Sequence, residues 1–305
     1  MRLLVTGASG LLGLNLSMFA TQQGHTVTGL VHSRVLRDVP FAVRKVDLMQ
    51  TDLALDVIES AQPDAIIHCA AIASINAAEM QPELAMLLNA EAPGHLAEAA
   101  ARWDVPFVHI STDAVFDGQR GGYLETDPTK PLSVYARTKL AGEEAVSAAN
   151  PAAIIARTVF YGWSLSGQRS LAEFFVTSLA AGQPLKGFTD TLFCPLYVED
   201  LASLLLEMLA AGLTGTYHVV SPDHLSKYDF GVRIAKRFGL NPDLITPIKT
   251  ADIDRGAARS LNLTLNPDKL RTALGHDLPT VVEGLDRFYA RWQEEYPQKL
   301  QAFKA

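Results

Sequence analysis

Cysteine is scarce. The 305 residues hold two, Cys69 and Cys194. Two thiols make no disulfide framework and no metal-ligand pattern, so no metal site is expected, and the usage agrees with a reducing, cytoplasmic setting. Long apolar runs are missing too, and none approaches the roughly 20 residues of a membrane-spanning helix. The opening MRLLVTGASG has a short apolar run that ends in glycine, too brief for a secretory leader. A surplus of positive charge is also lacking: 26 Lys and Arg stand against 33 Asp and Glu, a formal net charge of −7. Such a chain has no global attraction to nucleic acid or to an anionic membrane, which leaves a small molecule as the default partner. Low-complexity segments and short-period repeats are absent.

What is present is an ordinary globular composition, 48% apolar and 19% charged. Short β-rich runs alternate with helical stretches through the first half. Strands are predicted at 2–7, 25–32, 42–48, 64–71, 106–112 and 152–158. Helices are predicted at 11–24, 51–62 (with Thr51 as its N-cap), 82–103 and 134–149. Strands apolar on both faces, in regular β-α alternation, predict an α/β fold with a doubly wound parallel sheet, Rossmann-like. Such sheets bind ligands at the carboxyl ends of their strands. After Tyr161 the pattern weakens. Helices are expected at 171–182, 198–212, 226–239 and 281–296, and a short strand at 216–220. A smaller mixed α/β substrate lobe is therefore expected. The dinucleotide-binding domain is assigned residues 1–160 and about 190–212, and the substrate lobe about 161–189 and 213–305.

Gly7, Gly10 and Gly13 form G-x-x-G-x-x-G between the first strand and first helix. Backbone must approach a pyrophosphate closely there, at a helix N-terminus whose free amides and dipole favour anions. Leu11 and Leu12 open that helix and are counted with the cofactor-binding residues. The end of the second strand selects the cofactor. An acid there would bind the ribose of NAD; the chain offers Ser33, Arg34 and Arg37 instead. A guanidinium pairs strongly with phosphate. The expected cofactor is NADP, with NAD the alternative. Asp47, with Leu48 beside it, ends the third strand and is placed to meet the adenine.

Tyr135 and Lys139 stand at i and i+4, on one helix face. A tyrosine titrates near pH 10. A cation about 4 Å away, at an effective dielectric near 20, contributes on the order of 4 kcal/mol, about three pKa units. The expectation is a phenol titrating close to neutrality, where acid–base catalysis works best. Upstream, Ser111 and Thr112 end an apolar strand. Thr112 is the hydroxyl expected to polarise a substrate carbonyl. Ser111 is expected to line the cofactor, and Asp113 to be a polar contact or a turn former.

With TGASGLLG, HCAA, STDAVFDG, YLETDPTKPLSVYARTKLAGE and PLYVEDLA in view, the chain resembles an extended short-chain dehydrogenase/reductase. Within that superfamily it is similar to the dTDP-4-dehydrorhamnose reductase group. The resemblance implies hydride transfer from a nicotinamide cofactor to the C4 ketone of a nucleotide-linked 4-keto-6-deoxy sugar, and is compatible with a homodimer. It makes Tyr135 the proton donor, Thr112 the carbonyl partner and Lys139 the ribose holder. It also makes Asn89 a support of the active site and lines the cofactor with Ala70 and Ala71. His68 reads as a packed histidine. Ala114 stands where the group has an aromatic residue, Asn76 where it has an acid, and ARTVFYGWS is one residue short. No specific nucleotide clamp is read from the sequence; Arg259 and Arg255 are candidates only as cations near the loosely matched RGAARSLNLTLNPDKL, and Arg255 reads better as a surface arginine. The alternatives are an epimerase or dehydratase of the same superfamily, and a non-catalytic subunit resembling the regulatory subunit of methionine adenosyltransferase.

Overall fold

Strands that are apolar on both faces must be covered on both sides, and the chain supplies helices between most consecutive strands of its first half. The computed structural model describes residues 1–252 and 260–304. The first half runs β1 (Arg2–Thr6), α1 (Leu11–Gln22), β2 (Thr26–Val31), β3 (Ala42–Lys45), α2 (Thr51–Ala61), β4 (Ala65–His68), α3 (Ile75–Met80), α4 (Pro82–Met86), α5 (Ala92–Arg102), β5 (Phe107–Thr112), α6 (Val134–Ala149) and β6 (Ile154–Thr158). Then come β7 (Phe160–Tyr161), α7 (Leu171–Ala180), β8 (Leu185–Phe188), β9 (Leu192–Phe193), β10 (Leu196–Tyr197), α8 (Val198–Ala210) and β11 (Gly215–His218). The chain finishes with β12 (Leu225–Ser226), α9 (Lys227–Arg237), β13 (Ile245–Ile248), α10 (Asp268–Leu274), α11 (Val281–Gln293) and α12 (Tyr296–Ala302).

Seven strands form one parallel sheet in the order β11-β6-β5-β4-β1-β2-β3. The fold is the α/β, Rossmann-like one the sequence predicts. Side chains alternate across it: Leu3 and Val5 pack with α1 and α8, while Leu4 packs with α2 and α5. The strand order reverses between β1 and β4, so a crevice opens between their carboxyl ends, the usual ligand position in such sheets. The remaining strands pair two by two, β10 with β7, β12 with β9 and β13 with β8.

Several elements depart from expectation. Thr51 is not the N-cap of α2; that place falls to Gln50, with no side-chain cap bond, and Thr51 is already the first helical residue. β3 ends at Lys45, which releases residues 46–48 into the crevice. The long helix over 82–103 is interrupted by a wider turn, Leu87–Glu91, where the Ala92 amide bonds to Leu87. Pro93 sits just beyond and has no amide to continue the ordinary ladder. Residues 215–218, assigned to the substrate lobe, pair with β6 in the main sheet. The last helix stops at Gln293, and Glu295, at φ 56°, turns the chain into α12.

Candidate active site

The first corner of the site is the β1–α1 turn. Gly7 has φ 65°, and a Cβ there would lie 2.8 Å from the Ala70 backbone. A side chain on Gly13 would meet the Gly7 carbonyl at 2.2 Å. Gly7 lets the turn lie against the backbone that follows β4, and Gly13 lets α1 close onto the turn itself, with no room for a larger residue at either position. The first helical bond of α1 runs from the Leu14 amide to the Gly10 carbonyl, 3.1 Å. The preceding amides, of Leu11, Leu12 and Gly13, have no helical partner and suit an anion. The Leu12 side chain is core, 3% exposed, so only its backbone can serve.

A cleft of about 320 Å³ opens at this corner. Gly7, Gly10, Ser33, Arg34, Asp47, Leu48, Ala70 and Ala71 all border it. Arg169 joins them from the segment before α7. Arg169 and Arg34 make no ion pair with a carboxylate among the described residues. Burial first, then the nearby Arg34 charge, holds the Arg169 guanidinium below its ordinary range. Two like charges beside an open cleft form a ready anion site. The carboxylate of Asp47 accepts from the Met49 amide at 3.0 Å. The cradle, the free amides and the cations fit a phosphorylated dinucleotide.

Asn89 and Ser111 are placed differently. Asn89 is fully buried on the wide turn. Its Oδ1 accepts from the Ile72 amide at 2.9 Å, and its Nδ2 donates to the Ile72 carbonyl at 3.2 Å and to Thr138 Oγ1 at 3.0 Å. It fastens the loop behind Ala70 and Ala71 to α6. Ser111 does not border the cleft; its hydroxyl donates to Glu143 at 2.5 Å. Glu143 also binds Arg157 through two guanidinium nitrogens, at 2.7 Å and 3.0 Å. Side-chain exposure of that pair is 7% and 6%. Removing one partner of such a pair strands a buried charge, at a cost of roughly 3–5 kcal/mol. Glu143→Leu should therefore lower the unfolding free energy by about that amount, while the Glu143→Leu/Arg157→Leu double variant recovers much of it. Urea titrations of the three proteins check this.

A second cleft of about 220 Å³ contains Thr112, Asp113, Ala114 and Tyr135. Ala73 and Ile75 line it; Asn76 lies exposed on α3 and does not. Thr191 and Lys227 enter it from the second half of the chain. Strand β5 delivers Thr112 and helix α6 delivers Tyr135, with Ser133 capping the helix by accepting from the Ala136 amide. Thr112 Oγ1 donates to Asp113 Oδ1 at 3.1 Å and accepts from the Ala114 amide at 3.2 Å. Asp113 both lines the cleft and starts a short 3-10 turn. Burial lifts its carboxyl to about 6, against the lowering effects of Thr112 and the Lys227 charge.

The expected effect of Lys139 on Tyr135 does not hold. Burial raises the Tyr135 phenol to about 12, and the neighbouring Thr112 hydroxyl only partly offsets this. Desolvation disfavours the phenolate more than any cation here favours it. Lys139 itself is buried, and its Nζ lies 3.2 Å from His109 Nε2. Burial brings the Lys139 ammonium down to about 8, with the Glu143 charge working the other way. His68 is packed in the sheet, 1% exposed, as expected. Tyr123 stacks on Phe116 and donates to Asp117 at 2.7 Å, a loop anchor. Arg255 and Arg259 lie outside the described residues.

Sequence reasoning missed Arg169, Lys227, Thr191 and the His109 contact. The first three arrive from segments distant in the chain, and no local pattern marks them. His109 alone carried a signal, as a polar residue inside an apolar strand.

A parallel sheet, a glycine turn at its switch point and a tyrosine–lysine pair one strand away define a class, the extended short-chain dehydrogenase/reductase type. The chain belongs to a family within it, the RmlD substrate binding domain family, whose pattern matches residues 1–294. It is similar to the probable low-salt glycan biosynthesis reductase Agl14 of Haloferax volcanii, 36% identical over 95% of this chain and 98% of that one. It is also similar to the dTDP-4-dehydrorhamnose reductase of Mycobacterium tuberculosis, 35% identical over 85% and 83% of the two chains. Among solved structures it resembles the Bacillus anthracis dTDP-4-dehydrorhamnose reductase in complex with NADP, with a TM-score of 0.84 and 26% identity over 95% and 99%. No helix among the described residues is long and apolar enough to cross a membrane.

Proposed function

We propose that the chain is an NADPH-dependent reductase of the C4 ketone in a nucleotide-linked 4-keto-6-deoxy sugar. The observation that carries this is the pair of clefts: one suited to a phosphorylated dinucleotide, the other holding Tyr135 and Thr112. The amides of residues 11–13 hold the pyrophosphate, and Ser33, Arg34 and Arg169 receive the 2′-phosphate. Bound NADPH supplies a hydride to the carbonyl carbon. Tyr135 gives the phenolic proton to the carbonyl oxygen, and the alcohol results. A phenol held at about 12 stays protonated through neutral pH, as a proton donor must. Thr112 hydrogen-bonds the same oxygen after turning its hydroxyl from Asp113. Lys139 holds the ribose. Lys227 adds a cation to the second cleft, which suits a substrate carrying a diphosphate.

The test is loss of NADPH absorbance with dTDP-, GDP- and CDP-4-keto-6-deoxyhexoses. Stoichiometric oxidation with one of them is expected; an epimerase would recycle its cofactor and show none. The pH profile has a defined sign. Tyr135 keeps its proton, whereas Lys139 loses its charge as pH rises through about 8. The kcat/KM should fall on the alkaline side from about pH 8. A flat profile to pH 10 would remove Lys139 from this role.

A further inference from the structure

Thr6, His68 and His109 share one rung of the sheet. Thr6 pairs with His68 in the β1–β4 register, and His68 with His109 in the β4–β5 register. All three side chains are buried, at most 1% exposed. The rung begins one residue before the glycine turn and ends on Lys139. Thr6 Oγ1 accepts from the amides of Cys69 and Ala70, at 3.1 Å and 3.2 Å. Its one proton is therefore left for His68 Nδ1, 2.9 Å away. The His68 and His109 rings stack, centroids 5.6 Å apart at 13°. His109 Nε2 then meets the Lys139 ammonium.

An ammonium only donates, so His109 Nε2 accepts and the ring carries its proton on Nδ1. Burial, then the Lys139 charge, holds His109 well below its ordinary range and His68 at about 3. Both rings stay neutral at any working pH. His68 Nε2 and His109 Nδ1 have no partner among the described residues. An unsatisfied buried polar group costs roughly 1–3 kcal/mol, which a phenylalanine in either place would avoid. Packing alone does not account for this arrangement.

We infer that His109 is a positioning residue for the reaction, a fixed neutral acceptor that holds the Lys139 ammonium at the carboxyl edge of the sheet. The role given to Lys139 rests on the reductase reading. Other groups face that ammonium. Glu143 lies one turn further along α6, but its carboxylate is held by Arg157 of β6 and by Ser111 of β5. Tyr135 lies one turn before it, β4 presents His68, and the residue after β4 is Cys69, whose thiol burial pushes up to about 12. Among the described residues His109 is the direct hydrogen-bond partner of Nζ. Without it the ammonium is left buried with no acceptor and gives up its proton at lower pH.

The test needs only NADPH, followed by fluorescence between about pH 6 and 10. In the unaltered protein affinity should weaken above about pH 8, as Lys139 loses its proton. His109→Phe keeps a flat ring against His68 but no acceptor. Its midpoint should move down by about one unit, so that NADPH binds about tenfold more weakly at pH 9. His109→Gln offers a carbonyl acceptor and should restore most of the midpoint. A folded His109→Phe with an unshifted midpoint would overturn the inference, as would a folded His109→Gln displaced just as far. Should His109→Phe not fold, nitrogen NMR of the unaltered protein decides. A non-titrating ring protonated on Nδ1 supports the inference; a proton on Nε2 refutes it. Absence of turnover with every 4-keto sugar, beside an intact NADPH pattern, would sink the reductase reading and leave His109 in place.

Discussion

Tyr135→Phe should lower kcat by roughly 10²–10⁴-fold and leave the NADPH dissociation constant nearly unchanged. The substitution removes one oxygen and keeps the ring. Tyr135 borders the second cleft, beside Thr112, and is not among the residues around the cleft at the glycine turn. The loss therefore falls on the transition state, where a carbonyl oxygen acquires negative charge and needs a proton. It corresponds to about 3–5 kcal/mol of barrier. Thr112, the remaining hydroxyl near that oxygen, is partly engaged with Asp113 and cannot supply the missing proton at comparable strength. Single-turnover NADPH oxidation separates chemistry from product release and is the measurement of choice. An unchanged rate would remove Tyr135 from the proton step.

How much of this was legible in sequence depends on how local each signal is. The glycine turn is local: three glycines at fixed spacing follow a strand, and each steric reason for them lies within the turn or its neighbour strand. Tyr135 and Lys139 are legible for the same reason, since i and i+4 share a helix face. Their electrostatics were not. Charge separation alone suggested a lowered phenol, but desolvation dominates for both groups, and that depends on what packs over them. The break in the helix over 82–103 had a visible cause in Pro93, yet the apolar periodicity on both sides of it masked the interruption. Ser111 and Thr112 are adjacent and chemically alike. Strand alternation sends one hydroxyl to Glu143 and leaves the other beside Tyr135, a distinction that needs the partners on α6. Arg169 and Lys227 come from segments well over a hundred residues beyond the glycine turn. Only the folded chain brings Arg169 to Arg34 and Lys227 to Thr112.

Arg34→Ala and Arg169→Ala should each weaken NADPH binding about 10–100-fold while changing NADH binding little. The physical basis is the like-charge pair. Neither guanidinium has a carboxylate partner among the described residues, and after burial it is Arg34 that disfavours the charge on Arg169. A 2′-phosphate held by both would turn that repulsion into two charge-assisted contacts, each worth about 1.5–3 kcal/mol. Arg34 rides on the loop after β2. Arg169 is fixed by the start of α7, where its amide donates to Glu173 at 2.8 Å and Ser170 and Glu173 cap the helix reciprocally. NADH lacks the phosphate, so the same substitutions leave its affinity nearly intact and even relieve the pair's repulsion. Adenosine 2′,5′-bisphosphate against 5′-AMP gives the same comparison without a nicotinamide, and isothermal titration of both reads it directly. Because the two arginines share one phosphate, the double variant should lose less than the product of the single losses. Equal weakening of NADPH and NADH by Arg169→Ala would place that side chain on the pyrophosphate. Unchanged NADPH affinity in both single variants would remove the 2′-phosphate from this end of the cleft altogether.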